Sequence, residues 1–329
     1  MRWSWPFKTR NGNRGNGNHH SDADRNGGEL NGFAGDACPD FLCVGAQKAG
    51  TSWVYRQLEP HPDFWMPPVK ELHYLDQLNR TKRFHTPRCG DARDTSFLES
   101  MESLRGRFYL DLESYGRLFC HKGPLLSGDI SPAYSTLNDE IIERVVDGFP
   151  NVKVIFLARD PVERAWSQLS MGTRLGMINP FNITDPEEVV RNLLNPGVLI
   201  RSYPSKVVAR WRRYVRPENF RVYFFDDLKE SPAELRRSIL VFLGGDPDKP
   251  SGGLKPHENI DGGREKLRFT AKVRDRMAQF FEQELKACAA EFGGRAKSWP
   301  ARYGFSLVLF FWDLLDDSID LFFWCDWIS

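Results

Sequence analysis

The sequence predicts an α/β fold of three layers, with helices packed on both faces of a mostly parallel central sheet. Two observations carry that reading. First, FLCVG (41–45) and VKVIFLA (152–158) are short, nearly unbroken apolar runs, and FRVYFFDDL (220–228) reads as a third strand. Runs without polar alternation mark strands covered on both faces. Second, helical patterns follow the strand runs, and parallel neighbours need such crossover segments.

The elements follow in order. TSWVYRQLEPHP (51–62) starts on Thr51 or Ser52 as a cap and runs as a helix to Pro60. MPPVKELHYLD is a proline-bounded loop or short strand, and residues 79–106 read as polar and irregular. SGDISPAYS (127–135) is a strand end entering a Ser-Pro turn, and DEIIERVVDGFP is an amphipathic helix stopping before Pro150. After the strand at 152–158, PVERAWSQLSMG is a helix with Pro161 in its first turn. YPSKVVARWRRYV is helical, with Val207, Trp211 and Tyr214 on one face. SPAELRRSILVFLGG is a helix capped by Ser231, with Pro232 at its first position and glycines past its end. Residues 270–294 read as one long amphipathic helix.

Residues 1–36 are rich in Asn, Gly and Arg and hold too few large apolar side chains for a core, so they are expected to be disordered. A single domain is expected over 37–304. The tail 305–329 is expected as an acidic-apolar helix, with Asp313, Asp316, Asp317 and Asp320 on one stripe. Lys and Arg number 45 against 44 Asp and Glu, so no bulk basic field argues for nucleic acid. The six cysteines show no C-x-x-C and no metal-ligand spacing, and free thiols are the expectation. Neither a signal-peptide core nor a run of ~20 apolar residues is visible, so cytoplasm is the default location. A Golgi-type lumen stays open if the N-terminus is incomplete.

The chemistry begins at Gly45-Ala46-Gln47-Lys48-Ala49-Gly50-Thr51-Ser52. A strand feeding a helix through this loop aims backbone N–H groups at one spot, where the helix terminus adds about half a positive charge. Lys48 supplies a mobile cation, and Thr51 and Ser52 supply hydroxyls. Lys48 precedes the second glycine, so the loop departs from the ATP-binding pattern G-x-x-x-x-G-K-[ST]. An ordinary strand–helix turn would also use glycines and a threonine. A second element, FLARDPVERAWSQLS, puts Arg159 at the carboxyl end of a strand and Ser167 in the helix after it. Open α/β sheets bind ligands at such ends, although an ion pair of Arg159 with Asp160 or Glu163 is the plainer reading.

Together the two elements resemble the sulfotransferases that use 3′-phosphoadenosine 5′-phosphosulfate (PAPS). Lys48, Gly50, Thr51 and Ser52 match that family's phosphosulfate loop, and Arg159, Asp160, Pro161, Arg164 and Ser167 match its R-[DN]-P-x-[ED]-R-x-x-S element. VKELHYLD and GDISPAY are similar to further motifs of its heparan-sulfate-like and bacterial carbohydrate branch, and the resemblance spans about residues 40–300. It implies a P-loop-like phosphosulfate-binding loop made of Gln47, Lys48, Ala49, Gly50, Thr51, Ser52 and Trp53. It also implies 3′-phosphate contacts from Arg159 and Ser167, and further nucleotide contacts from Arg264 and Lys266, although IDGGREKLR is less basic than the corresponding loop of many members. Lys48 is then catalytic on the leaving group. Glu71 is the implied base, with His73 the alternative, and Lys70, Ser131 and Tyr134 lie on the acceptor side.

The implied reaction needs no metal and moves a sulfuryl group from PAPS to a hydroxyl or amine, with a carbohydrate or glycolipid as first choice of acceptor. Burial of Glu71 is expected to raise its pKa toward that of a useful base. The alternatives are a P-loop kinase-like enzyme, or a non-catalytic glycan-binding module gripping acidic polymer through Arg210, Arg212, Arg213, Arg216 and Arg221. Oligomeric state has no signature in the sequence.

Overall fold

The computed structural model describes residues 38–77, 90–104, 106–250 and 267–306. Four strands form one sheet: β1 (Phe41–Gly45), β2 (Gly128–Ile130), β3 (Lys153–Ala158) and β4 (Phe220–Phe224). Their order is β2-β1-β3-β4 and every pairing is parallel. Cys43 stands opposite Ile130 on one side and Ile155 on the other. The helices are α1 (Thr51–Leu58), α2 (Ala92–Leu104), α3 (Leu112–Arg117), α4 (Asp139–Gly148), α5 (Pro161–Arg174) and α6 (Pro186–Leu193). They continue as α7 (Pro196–Leu199), α8 (Pro204–Arg212), α9 (Phe225–Glu230), α10 (Pro232–Leu243), α11 (Ala271–Phe280) and α12 (Glu282–Phe292).

The apolar runs are the sheet's centre. Phe41, Leu42, Cys43, Val44, Val154, Ile155, Leu157 and Ala158 are fully buried. Each large aliphatic member contributes roughly 1.5–3 kcal/mol by leaving water. From β1 the chain leaves toward β2, and from β3 it leaves toward β4, so the carboxyl ends of β1 and β3 flank a switch point. β1 slips register against β3 between Cys43 and Gly45, which turns its end out of the sheet and into the following loop.

Helix boundaries follow local chemistry. Asn138 caps α4 by accepting from Ile141 N at 3.0 Å. Pro161 and Pro232 open α5 and α10, and Gly244 ends α10 in the left-handed region at φ 101°. Ser231 holds the N-cap position of α10, but its side chain makes no capping bond.

Three expectations are corrected. The strand expected over FRVYFFDDL stops at Phe224, and Phe225 to Leu228 belong to α9. The stretch read as irregular contains α2, whose Phe97, Met101 and Leu104 are buried at helical spacing. The long helix of 270–294 is two, α11 and α12, separated at Phe281 (φ −98°, ψ 10°), whose ring is buried. Cys38, Cys43, Cys120 and Cys288 are unbridged. No described helix is long and apolar enough to cross a membrane. The expectations for 1–36 and for the stripe beginning at Asp313 lie outside the described residues.

Candidate active site

The β1–α1 loop is stitched to β3 by Ala46 N, which donates to Leu157 O at 2.9 Å. Gly50 is the N-cap of α1 at φ 99° and has no side chain with which to close the helix end. A Cβ there would stand 2.6 Å from Leu228 Cδ2. The first turn of α1 holds no acidic residue, so its amides and dipole present positive charge to the crevice. Thr51 and Ala49 are buried, Ser52 is exposed, Gln47 is partly buried, and Trp53 packs in the core at 4% exposure. Lys48 is left-handed at φ 71°, a region costly for a residue with a side chain. Its Nζ lies 3.5 Å from Met171 Sδ on α5.

Arg159 leaves the end of β3 and reaches back to this loop, donating from a terminal nitrogen to Lys48 O at 2.7 Å. Its other terminal nitrogen donates to Glu163 at 3.3 Å, and its guanidinium lies 4.2 Å from the centre of the Phe225 ring. Burial lowers its pKa, while Glu163 opposes the shift. Asp160 caps α5 by accepting from Val162 N and Glu163 N. Burial and then the Glu163 charge push the Asp160 carboxyl up to about 6, against the Tyr303 hydroxyl at 3.0 Å and Arg302 at 3.7 Å.

Lys48, Arg159 and Ser167 meet on the wall of a cavity of about 500 Å³. Its wall adds Arg174, Lys229 and Arg274, giving, among the described residues, five cations against the single carboxylate of Glu163. Two of its polar atoms, Arg159 Nε and Ser170 Oγ, are buried with no hydrogen-bond partner. An orphaned buried donor costs on the order of 1–3 kcal/mol unless a ligand satisfies it. Trp166 and Phe269 form an aromatic wall, stacked at 4.5 Å and 9°. The donor set fits an elongated polyanion with an aromatic part.

Glu71, His73, Lys70, Ser131 and Tyr134 lie elsewhere, on the β2 side of β1. His73 N donates to Ser131 Oγ at 3.4 Å, beside the carboxyl end of β2. The β1–α1 loop thus rises from the strand between the cationic cavity and this second cluster. Ser131 and Tyr134 are fully buried and donate to Asp129 at 2.7 and 2.5 Å, with Tyr115 adding a third bond at 3.0 Å. Burial raises the Asp129 pKa, and the three hydroxyls pull it back.

His73 is held between two carboxylates: Nδ1 faces Asp76 at 3.0 Å and Nε2 faces Glu71 at 3.5 Å. Burial alone would lower its pKa, but the hydrogen bonds to Asp76 and Glu71 overcome it and raise His73 to about 9. Burial likewise fails to raise Glu71. The hydrogen bond from His73 and the charge of Lys70, with which Glu71 is in direct contact, bring it down to about 2. The expected upward shift of Glu71 is therefore reversed. Glu71 (φ 66°) and His73 (φ 56°), with Lys48, are the non-glycine residues of positive φ among the described residues. Backbone strain there coincides with the three side chains the sequence placed at the chemistry.

Lys229, Arg174, Arg274 and Tyr303 were not foreseen in the cavity, nor Asp76 beside His73. Lys229 and Arg174 had only charge and helical phase to mark them, and Tyr303 reaches Asp160 across 143 residues of sequence. Arg264 and Lys266 lie outside the described residues. Among the described residues no His, Cys, Asp and Glu group has metal-site geometry. The arginines weighed for a glycan surface are largely taken up internally. Arg210 donates to Leu137 O, Arg212 pairs with Glu291, Arg213 with Asp139, and Arg221 donates to Pro217 O.

Known proteins share the fold. A solved sulfotransferase from Alicyclobacillus acidocaldarius is 25% identical at a TM-score of 0.58, covering 80% of this chain and 99% of its own. A sulfotransferase domain from the curacin biosynthetic pathway is 17% identical at 0.47, covering 67% and 82%. One from the olefin synthase of Synechococcus PCC 7002 is 19% identical at 0.46, covering 75% and 96%. No curated protein sequence matches. A family model described as the sulfotransferase family matches residues 39–248, which takes in the β1–α1 loop, the Glu71–His73 cluster and the Arg159–Ser167 element, and the chain belongs to that family.

Proposed function

We propose that this chain uses PAPS as donor and transfers its sulfuryl group in line to a hydroxyl or amine, on a carbohydrate or glycolipid, releasing PAP. The observation that carries the proposal is the meeting of Lys48, Arg159 and Ser167 in one cationic cavity at the ends of β1 and β3. Its two orphaned donors, Arg159 Nε and Ser170 Oγ, suit phosphate oxygens. Within the family, the motifs around Glu71 and Ser131 favour the heparan-sulfate-like and bacterial carbohydrate branch.

In this reading the α1 amides, Thr51 and Ser52 hold the 5′-phosphosulfate, and Arg159 and Ser167 hold the 3′-phosphate. Lys48 stabilises the charge that grows on the 5′-phosphate as its bond to sulfur breaks. Glu71 takes the acceptor proton as the new oxygen–sulfur bond forms. It is ionised at every physiological pH and 36% exposed, so it is open to receive that proton, but at about 2 it is a weaker base than an ordinary carboxylate. His73 at about 9 holds protons on both nitrogens at neutral pH and has no lone pair to offer, so its place is to orient Glu71. Lys70 shares Glu71, and Ser131 and Tyr134 support the acceptor wall through Asp129.

Calorimetric titration tests the donor: PAP binds, ATP with Mg²⁺ does not compete, and Arg159→Ala weakens PAP by roughly 30-fold or more, the loss of a charge-assisted bond. Labelled PAPS with a panel of sugars then tests transfer. Preference for ATP with Mg²⁺ over PAP, or PAP binding without transfer to any acceptor, overturns the proposal.

A further inference from the structure

Glu163 stands out within the cavity because, among the described residues, it is the single carboxylate in a wall otherwise lined by cations. Its Oε2 accepts from Arg159 at 3.3 Å and from Lys229 at 2.9 Å. Both cations also lie over one ring, Arg159 at 4.2 Å and Lys229 at 5.1 Å from the centre of Phe225. A carboxylate beside an arginine usually serves to aim it. Here that need is met otherwise: Arg159 is fixed by its bond to Lys48 O at 2.7 Å and by the Phe225 face. Removing Glu163 leaves both of those contacts in place. What Glu163 adds is a negative charge on the cavity wall, and occupancy of Arg159 and Lys229 donors that an entering anion could use.

We infer that Glu163 is a built-in competitor of the nucleotide's phosphate, holding Arg159 and Lys229 together in the empty site and hastening departure of the nucleotide product, with Lys229 a phosphate ligand in its own right. The inference rests on the donor reading above. When the phosphate enters, Arg159 and Lys229 turn from one anion to another. When it leaves, Glu163 takes them back, so neither cation faces an empty, partly desolvated site. Such a device raises turnover where product release limits it, at the expense of affinity.

The test is Glu163→Gln, which keeps shape and removes charge. PAP should bind about tenfold tighter, as expected for loss of one like charge at close range in a partly desolvated site. The gain should appear mainly in a slower off-rate, read by stopped-flow displacement. Adding Lys229→Ala should cancel most of it, while thermal melting reports that both variants are folded. Unchanged or weaker PAP binding in a folded Glu163→Gln variant overturns the inference and makes Glu163 an orienting partner of Arg159. A wild-type protein that binds no PAP at all instead rejects the donor reading. The same comparison with inorganic pyrophosphate as probe then still decides: tighter binding by the variant keeps Glu163 as an anion competitor, and unchanged binding removes it.

Discussion

Replacing Asp76 by Asn removes one of the two carboxylates that clamp His73 and leaves the side-chain volume unchanged. His73 stands at about 9 against an ordinary value of 6.5, and burial works against that rise. Asp76 at 3.0 Å and Glu71 at 3.5 Å must therefore supply more than the whole difference between them. Asp76 is the nearer and the less exposed, 11% against 36%. Its loss should remove at least half, taking the His73 midpoint to about 7.5 or lower. Titration of the histidine ring protons by NMR, with His73→Ala to assign the resonance, reads this directly and needs no acceptor. A wild-type midpoint at or below 6.5, or one that stays put in Asp76→Asn, refutes the clamp.

The same clamp gives stability a pH window. His73 is raised, so its contribution is complete below 6.5 and is lost as pH rises through about 9. Glu71 is depressed from 4.5 to about 2, so its contribution is complete above 4.5 and is lost as pH falls through about 2. Both are in full force between about pH 4.5 and 6.5. The His73 displacement corresponds to roughly 3 kcal/mol, of which solvent screening and sharing with Glu71 leave about 1–2 kcal/mol. Urea unfolding should show wild type losing that amount between pH 7 and pH 10, and Asp76→Asn losing distinctly less.

Lys48→Ala should lower sulfuryl transfer from PAPS by about 100-fold or more, as for loss of a group that stabilises charge in the transition state; thermal melting should remain within a few degrees, since Lys48 is only partly buried. Gly50→Ala should cost about 1–3 kcal/mol in urea unfolding, because φ is 99° and the new Cβ would meet Leu228 at 2.6 Å. Tyr303→Phe removes the hydroxyl that Asp160 accepts at 3.0 Å; it should cost about 1 kcal/mol and weaken PAP severalfold. With that donor gone, the Asp160 carboxyl should rise further above about 6, read by NMR titration of the carboxyl carbon.

The cationic cavity was legible in part because the residues at its base are local in sequence. A strand, two glycines, a lysine and a helix start lie within twelve residues, 41–52, and the geometry of a strand–helix turn converges their donors. Arg159 and Ser167 were legible for the same reason, as a strand end and the helix that follows. What the sequence concealed is through-space. In α2, four large apolar side chains in thirteen residues leave a weak period, and burial came from Phe97 packing edge-on to Trp65. α9 follows β4 at once, so FDDL read as the fading end of a strand.

The ionisation of the second cluster was concealed most thoroughly. Glu71 and Lys70 are adjacent, and burial was expected to raise the glutamate. The sign reversed because a protonated histidine two residues away faces it, and that histidine is protonated because Asp76 takes its other nitrogen. Both Glu71 and His73 adopt left-handed backbone to bring this about. No propensity or spacing rule predicts that of a glutamate or a histidine. A segment whose local preference is overridden at two positions, Glu71 and His73, is held by what surrounds it. Here Asp76, and the Asp129–Ser131 pair that receives His73 N, are the groups that hold it. That makes Asp76 a positioning residue: its replacement should move the acid–base behaviour of transfer while leaving PAP affinity unchanged, whereas replacing Arg159 should do the opposite.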